Sequence, residues 1–396
     1  MNNKNIRKLD KIVIIGLGYI GLPTSLAFSN SEFSVVGVDV DDSVVKSLNS
    51  GQIHIQEEGL QEYFDTALAS GNFRATKIIE QADTFLIAVP TPFKPNKTAD
   101  LDYVKSAAEA IATVIQKGNM VILESTVPPG TCERVIAPII EAKTGLKHGT
   151  DYDLVHCPER VIPGSILKEI IYNDRIIGGT TPQAAERAKK LYSSFVKGKM
   201  LITTASTAEI TKLMENTYRD VNIALANELG LVCETLGIDV QEAIQLANHH
   251  PRVNIHQPGI GVGGHCIPVD PWFIAEISPE HTPLIQTARK INDGMPRVTA
   301  NRIAQSIQNL GLQKENVTIG ILGLTYKSNV DDFRESPAIE VVHELLELGY
   351  QVKVHDPYLH TEVQLPRRVR VATLEEVRAC DVVEMLVQHN TYLKEL

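Results

Sequence analysis

A cysteine set among glycines offers the chain's most direct route to covalent chemistry. The segment Gly259-Ile260-Gly261-Val262-Gly263-Gly264-His265-Cys266-Ile267-Pro268-Val269-Asp270-Pro271 holds four glycines within six residues, and such a stretch lets backbone approach a neighbour closely. A thiolate at Cys266, with Asp270 following, can attack an aldehyde carbon. A lone cysteine is also commonly an inert small hydrophobe, and patterning leaves both readings open. A second constellation, Lys212, Asn216 and Arg219, stands at i, i+4 and i+7 with Glu209 and Asp220 beside it, the spacing of one helix face. An ammonium and an amide one turn apart can hold a reacting oxygen, and a lysine of lowered pKa can assist proton transfer. The apolar set Ile210, Leu213, Met214 and Val221 falls mainly on the other side. The plainer expectation is therefore an amphipathic helix with its polar stripe in water.

A third constellation would hold a dinucleotide. The apolar run Ile12–Ile15 leads into Gly16-Leu17-Gly18-Tyr19-Ile20-Gly21 and then a helical pattern, Leu22–Ser29. In such a G-x-G-x-x-G turn the first glycine permits the bend and the second lets backbone approach a pyrophosphate. The third lets helix and strand pack, with the helix N-terminus facing the phosphates. Gly18, Tyr19 and Ile20 are the candidate contacts. Asp39, 18 residues past Gly21 at the end of the next apolar run, can accept ribose hydroxyls and would repel a 2′-phosphate, which favours NAD over NADP. Thr91 and Thr126 sit at two further strand ends, where ligands of open α/β sheets lie. Ordinary turn chemistry explains them equally well.

The elements that must position these residues follow from period and length. Strand-like runs Ile12–Ile15, Val35–Val40, Thr84–Val89, Met120–Glu124, Leu154–His156 and Arg175–Ile177 alternate with helical stretches such as Tyr103–Ile115. This predicts a parallel sheet with helices on both faces. From Thr204 to Ala247 strand signals stop and a long helix is expected, with more helix over Leu284–Asp293 and Ala300–Leu310. Strand signals return at Val317–Leu322, Gln351–Val354, Arg368–Val371 and Val382–Leu386. Ser336-Pro337 fits a helix start, with Ser as N-cap and Pro at N1. The expected fold is α/β. A Rossmann domain over 1–203 and a smaller Rossmann-like α/β domain over 313–396 are joined by a helical connector over 204–312.

Composition bounds the function. With 396 residues, 43% hydrophobic and 22% charged, the chain reads as a soluble protein of two or three domains. No apolar run reaches membrane-spanning length, and the polar start Met1–Lys11 lacks a secretion signal, so a cytoplasmic location is expected. A net charge of −10 argues against nucleic-acid binding. Cys132, Cys157, Cys233, Cys266 and Cys380 form no CxxC pair, and His249, His250, His256 and His265 match no zinc spacing, so no metal is expected. Arg219, Arg252, Lys327 and Arg334 can act as anion clamps, or as surface ion-pair partners.

Together these motifs resemble the UDP-sugar 6-dehydrogenases over essentially the whole chain. The resemblance rests on Gly16–Gly21 with Asp39, Glu124–Thr131, His156-Cys157-Pro158-Glu159-Arg160, Lys212 with Asn216, Gly261–Pro271, Gly323-Leu324-Thr325-Tyr326-Lys327 and Asp331–Pro337. It implies a two-fold oxidation of the sugar C6 alcohol with two NAD and one water. Lys212 and Asn216 would hold the C6 oxygen, Cys266 would form a thiohemiacetal and then a thioester, and Glu159 would help activate water with Thr126 and Asp270 in support. UDP-glucose enzymes usually carry a second Glu four residues after Pro-Glu, where this chain has Pro163. With Asn173-Asp174-Arg175 and His250-Pro251-Arg252, the chain is similar to the branch acting on UDP-N-acetyl-D-mannosamine. UDP-N-acetylglucosamine or UDP-glucose is the alternative. The resemblance makes Arg160, Val161, Lys212, Asn216, Arg219, His250, Arg252, Gly263, Tyr326, Lys327 and Arg334 substrate-site candidates. It further implies a homodimer through the connector helices and a role in surface polysaccharide synthesis. Relatives usually continue a little past the position of Leu396, so the last sheet edge is expected to be incomplete or differently covered here.

Overall fold

The computed structural model describes residues 10–55, 57–162, 164–361 and 363–393. Pro163, on which the branch distinction partly rests, lies outside them. The chain divides into two compact units, Met1–Leu213 and Met214–Leu396, and the division falls inside one helix, Ala205–Leu236.

The first unit is an eight-stranded sheet. In chain order its strands are β1 (Lys11–Ile15), β2 (Ser34–Val38), β3 (Phe73–Thr76), β4 (Thr84–Ile87), β5 (Met120–Leu123), β6 (Asp153–His156), β7 (Arg175–Gly179) and β8 (Met200–Thr204). In space they run β3-β2-β1-β4-β5-β6-β7-β8. β1 shows why the sheet is covered on both sides. Ile12 and Ile14 enter one core with Leu22, Leu26 and Phe28, while Val13 enters the other with Phe85, Val121 and Leu154. Successive strand residues point to opposite faces, so a run apolar throughout needs helices on both.

The strand sense departs from the expectation, and two strands are additional. The sheet is not wholly parallel: β6 and β7 pair antiparallel, and β8 is parallel to β7. A strand buried on both faces reads the same in either direction, so an apolar run carries no signal of strand sense. Strands β3 and β8 escape a reading of the sequence because β3 has four residues, two of them polar, and β8 is mostly half-buried or exposed along its length.

The second unit holds helices Val240–Ala247, Asp270–Ile277 and Pro283–Asn309 and a parallel four-stranded sheet. The strands are β9 (Thr318–Leu322), β10 (Gln351–His355), β11 (Arg370–Val371) and β12 (Val382–Met385), ordered β11-β10-β9-β12. Ile303 and Ile307 pack with Val341, Val342 and Leu345 against Ile319, Ile321, Val352 and Val354. The two expected helices over 284–310 are one, which continues through Pro296. Proline removes one hydrogen bond, that to the carbonyl four residues back. That carbonyl, Asn292 O, lies against Gly261, whose added Cβ would stand 3.3 Å from it. A glycine loop thus occupies the place where the helix ladder is broken.

The connector helix departs in part from the expected faces, although Leu213 is buried and Arg219 exposed as expected. Glu209, Lys212, Asn216, Asp220 and Asn227 are buried, whereas Met214 and Tyr218 are each 58% exposed. Part of the polar stripe is satisfied inside the second unit. Arg289 donates to Asp220 at 2.6 Å, Asn227 to Asn292 at 2.9 Å, and the Gly259 N–H to Asn227 at 2.8 Å. Buried polar groups are tolerated when paired in this way. Ser336 and Pro337 do begin the helix Pro337–Glu347, but the Ser336 hydroxyl makes no cap bond and donates to Leu324 O at 2.7 Å. The serine therefore ties the helix start to the loop after β9.

Candidate functional site

The turn after β1 is built as a phosphate cradle. Gly16 has φ +91°, and an added Cβ would lie 2.6 Å from Ala88 O; at Gly21 it would lie 1.8 Å from Gly16 O. A Cβ on Gly18 would meet nothing within 4 Å. The outer two glycines are thus demanded by packing, and the middle one opens backbone to a ligand. Asp39 follows the end of β2, where it accepts the N–H groups of Leu17 at 2.8 Å and Asp41 at 3.0 Å. This fixes the carboxylate where ribose hydroxyls would reach it, so the residues present fit NAD. His54, which carries no motif in the sequence, flanks the aspartate. Burial holds its imidazole below the usual range, while the Asp39 charge acts in the opposite direction. Tyr19 and Ile20 are half-buried on the same turn. Thr91 and Thr126 are brought together: the Thr91 hydroxyl donates to Thr126 O at 2.6 Å, which joins the ends of β4 and β5.

The second unit repeats this turn. Gly323 has φ +87°, and its N–H donates to His355 O at 2.9 Å, as that of Gly16 donates to Val38 O at 2.8 Å. Asp356, after β10, accepts Leu324 N–H at 2.6 Å and Thr325 N–H at 3.2 Å, the role that Asp39 plays beside Leu17. The same strand-end carboxylate and left-handed glycine shape two nucleotide-type turns in one chain. Asp356 has no sequence signal of its own, because no G-x-G-x-x-G marks the second turn.

The cysteine loop is held tightly within its unit. A Cβ on Gly263 would lie 2.7 Å from Glu335 O and Tyr326 Cβ, and one on Gly264, at φ +87°, would lie 3.0 Å from the Tyr326 ring. The Gly264 N–H donates to Arg334 O at 3.0 Å, and Arg334 meets His265 Nδ1 at 3.0 Å while pairing with Asp332. Gly263, Tyr326 and Arg334 are therefore neighbours. Cys266 is half-buried, and its carbonyl accepts the N–H groups of Val269 and Asp270. Asp270 is 2% exposed and accepts the Asn216 side-chain amide at 2.6 Å.

Other candidates stand apart. Lys212 is buried, one helical turn before Asn216. His250, Arg252, Arg219 and Lys327 are exposed. The Arg160 guanidinium donates to Asp174 O, and Val161 is half-buried. Glu159 lies in a buried ion pair with Arg175 at 2.6 Å, and the same guanidinium reaches Glu124 at 3.4 Å. Glu124 and Arg175 carry no joint signal in the sequence because 51 residues separate them. Among the described residues, the buried group Cys132, His156 and Glu209 has the donor types of a metal site. Glu209, however, accepts the N–H groups of Gly130 and Cys132 and so serves as the cap of that turn, where the sequence pattern places it on a solvated stripe.

The dinucleotide turn of the first unit, with Asp39 held at the end of β2, fits the class of NAD-dependent dehydrogenases. The chain belongs to the UDP-glucose/GDP-mannose dehydrogenase family: its NAD binding domain matches residues 10–196, its central domain 206–294 and its UDP binding domain 320–396. A UDP-N-acetyl-D-mannosamine dehydrogenase of Campylobacter jejuni is 45% identical over 98% of both chains. An NDP-N-acetyl-D-galactosaminuronic acid dehydrogenase of Ralstonia nicotianae is 46% identical over 97% of this chain and 92% of its own. The solved structure of a UDP-D-ManNAc dehydrogenase from Pyrococcus horikoshii superposes with TM-score 0.91 at 43% identity, over 96% of this chain and 90% of that one. No helix among the described residues is long and apolar enough to cross a membrane.

Proposed function

We propose that the enzyme oxidises the C6 alcohol of UDP-N-acetyl-D-mannosamine to the carboxylate, in two hydride transfers with one water. The observation that carries this reading is the link from Cys266 through Asp270 to Asn216: the Asp270 N–H donates to the Cys266 carbonyl at 2.9 Å while its carboxylate holds the Asn216 amide. The group that would grip the alcohol oxygen and the loop that bears the thiol are thus fixed to one residue. NAD, held by the Gly16–Gly21 turn, Asp39, Thr91 and Thr126, supplies the hydride acceptor in both transfers.

Lys212 and Asn216 hold the C6 oxygen, and Lys212 takes the alcohol proton as the aldehyde forms. The Cys266 sulfur adds to C6 as the C=O π bond opens and the protonated Lys212 returns its proton to the oxygen, giving a thiohemiacetal; hydride then leaves C6 to the nicotinamide acceptor while Lys212 takes the O–H proton again, which leaves a thioester. Glu159 draws a proton from water, the water oxygen adds to C6, and the C–S bond breaks with its electron pair returning to sulfur. Arg160, Val161, Arg219, His250, Arg252, Gly263, Tyr326, Lys327 and Arg334 bind the sugar nucleotide, the arginines gripping its phosphates. On this reading the enzyme works in the cytoplasm and serves surface polysaccharide synthesis.

The test is NADH yield at limiting sugar nucleotide. UDP-N-acetyl-D-mannosamine should give two NADH per molecule and turn over fastest in a panel with the N-acetylglucosamine, N-acetylgalactosamine and glucose analogues. The galactosaminuronic name of the Ralstonia relative supports the galacto epimer as the second reading, and faster turnover of that analogue would decide for it.

We also infer a homodimer through the connector helix. Met214, Tyr218, Leu225, Val232 and Leu236 are 45–65% exposed, and at 3.6 residues per turn they fall within an arc of about 40°. An apolar stripe of this kind marks an interface, and a second copy of the chain matches it along its length. Tyr218→Glu should halve the mass seen by light scattering; an unchanged mass, or a monomeric wild type, would count against the interface.

A further inference from the structure

Arg175 is a charge inside a strand whose five residues are all buried. Its guanidinium lies over the Tyr192 ring, 4.7 Å from the centroid, with Cys157 Sγ at 3.8 Å. One terminal nitrogen donates to Glu159 at 2.6 Å and the other to Glu124 at 3.4 Å. The second Glu159 oxygen accepts the Arg160 N–H at 2.8 Å, so that carboxylate is oriented from both sides. Glu124, 2% exposed, accepts the hydroxyls of Tyr192 at 2.6 Å and Thr24 at 3.3 Å. Two carboxylates therefore share one buried cation, an arrangement in which removing a single partner leaves an uncompensated charge.

We propose that Arg175 and Glu124 are positioning residues for the Glu159 carboxylate, and that the charge on Glu124 decides whether Arg175 is shared or committed to Glu159 alone. This rests on the reading of Glu159 as the group that takes the proton from water during thioester hydrolysis. The groups facing Glu124 are Arg175 from β7, Glu159 and Cys157 from the segment after β6, Tyr192 from the helix Pro182–Tyr192, and the uncharged Thr24 from Gly21–Ser29. Burial pushes Glu124 up to about 7; Arg175 opposes the rise, Glu159 adds to it, and the two hydroxyls oppose it. Below that pH Glu124 is neutral, Arg175 is committed to Glu159, and hydrolysis is slow. Above it Glu124 is ionised, Arg175 is divided, and Glu159 is freer to receive the proton.

The experiment follows hydrolysis of the Cys266 thioester, loaded by single turnover of sugar-labelled UDP-N-acetyl-D-mannosamine on the full-length enzyme and quantified as protein-bound label after acid quench. Decay is measured on thioester already formed, so losses in earlier steps do not enter. One ionisation near 7 changes the ionised fraction about tenfold between pH 6 and 8, and the wild-type decay rate should rise by that factor. Glu124→Gln should stay near the low-pH rate throughout, changing less than about twofold across the same range, because its Arg175 remains committed to Glu159. Arg175→Lys, which cannot bridge both carboxylates, should also lose the rise. Tyr192→Phe removes a donor to ionised Glu124 and should move the rise to higher pH, which keeps the test open if Glu124→Gln fails to fold. Glu159→Gln separates the two claims. If its thioester decays as in wild type, the reading of Glu159 falls. If its thioester persists while Glu124→Gln keeps the wild-type rise, or Tyr192→Phe does not move it, the positioning proposal is overturned.

Discussion

Cys266→Ala stops sustained NADH formation while leaving the fold in place. Steady-state turnover on UDP-N-acetyl-D-mannosamine should drop by about 10³-fold or more, the scale on which removing a covalent nucleophile acts. At limiting substrate the yield should fall from two NADH per sugar to at most one, with aldehyde as the product. Without sulfur on C6, the aldehyde carbon has no tetrahedral adduct from which hydride can leave. The structure argues that such a loss would be chemical. The loop owes its shape to Gly263 and Gly264 packed on Tyr326 and to backbone bonds at the Cys266 carbonyl, which alanine retains. Truncating a half-buried side chain of this size costs about 1 kcal/mol, so the thermal midpoint should move only a few degrees. Two NADH per sugar in the alanine variant would sink the thioester route and leave Cys266 a structural residue. A collapse of the thermal midpoint would instead show that the thiol packs the loop.

What the sequence makes legible is local. Gly16, Gly18 and Gly21 stand close together, each demanded by sterics or by a phosphate, and Asp39 follows at a spacing set by one βαβ unit, so the residue pattern alone is enough to recognise the cofactor turn. Asp356 does the same work in the second unit but has no glycine fingerprint beside it, and nothing in the local pattern singles it out. The buried polar residues of the connector helix show a different limit. Amphipathic reasoning assumes that polar residues seek water, whereas Asp220 and Asn227 find Arg289, Asn292 and the Gly259 backbone inside the protein. Met214 and Tyr218 are left at the surface, while Leu213 stays buried. Pro296 misleads for a related reason: proline reads as a helix break, and the chain absorbs it by setting Gly261 against the freed carbonyl. Glu124 and Arg175 are separated in sequence by strand β6 and several helices, whose register no local pattern encodes. Each falls within a motif of its own, but their pairing is invisible until the sheet is assembled.

Lys212→Ala should lower the rate of the first hydride transfer by about 10²- to 10⁴-fold, the usual range for losing a positioned proton-transfer group or a stabiliser of a developing alkoxide. Two features make the variant interpretable. Lys212 lies inside the 32-residue helix Ala205–Leu236, where alanine is the best helix former, and the helix should persist. Asn216, one turn on, is held from outside the reacting group, since one of its amide hydrogens goes to Asp270 at 2.6 Å. The second amide hydrogen remains directed by that bond, so an oxygen gripped by lysine and asparagine loses only one of its two holders in the variant. Lys212→Arg should recover little. Guanidinium keeps its proton at any working pH and needs a wider, planar slot than an ammonium, while Lys212 is only 9% exposed. The deciding measurement is pre-steady-state NADH formation across substrate concentrations. A fall in the maximal rate with KM little changed assigns Lys212 to the transition state. A raised KM with the maximal rate preserved would make it an anchor for the bound sugar, and proton transfer would have to pass to another group.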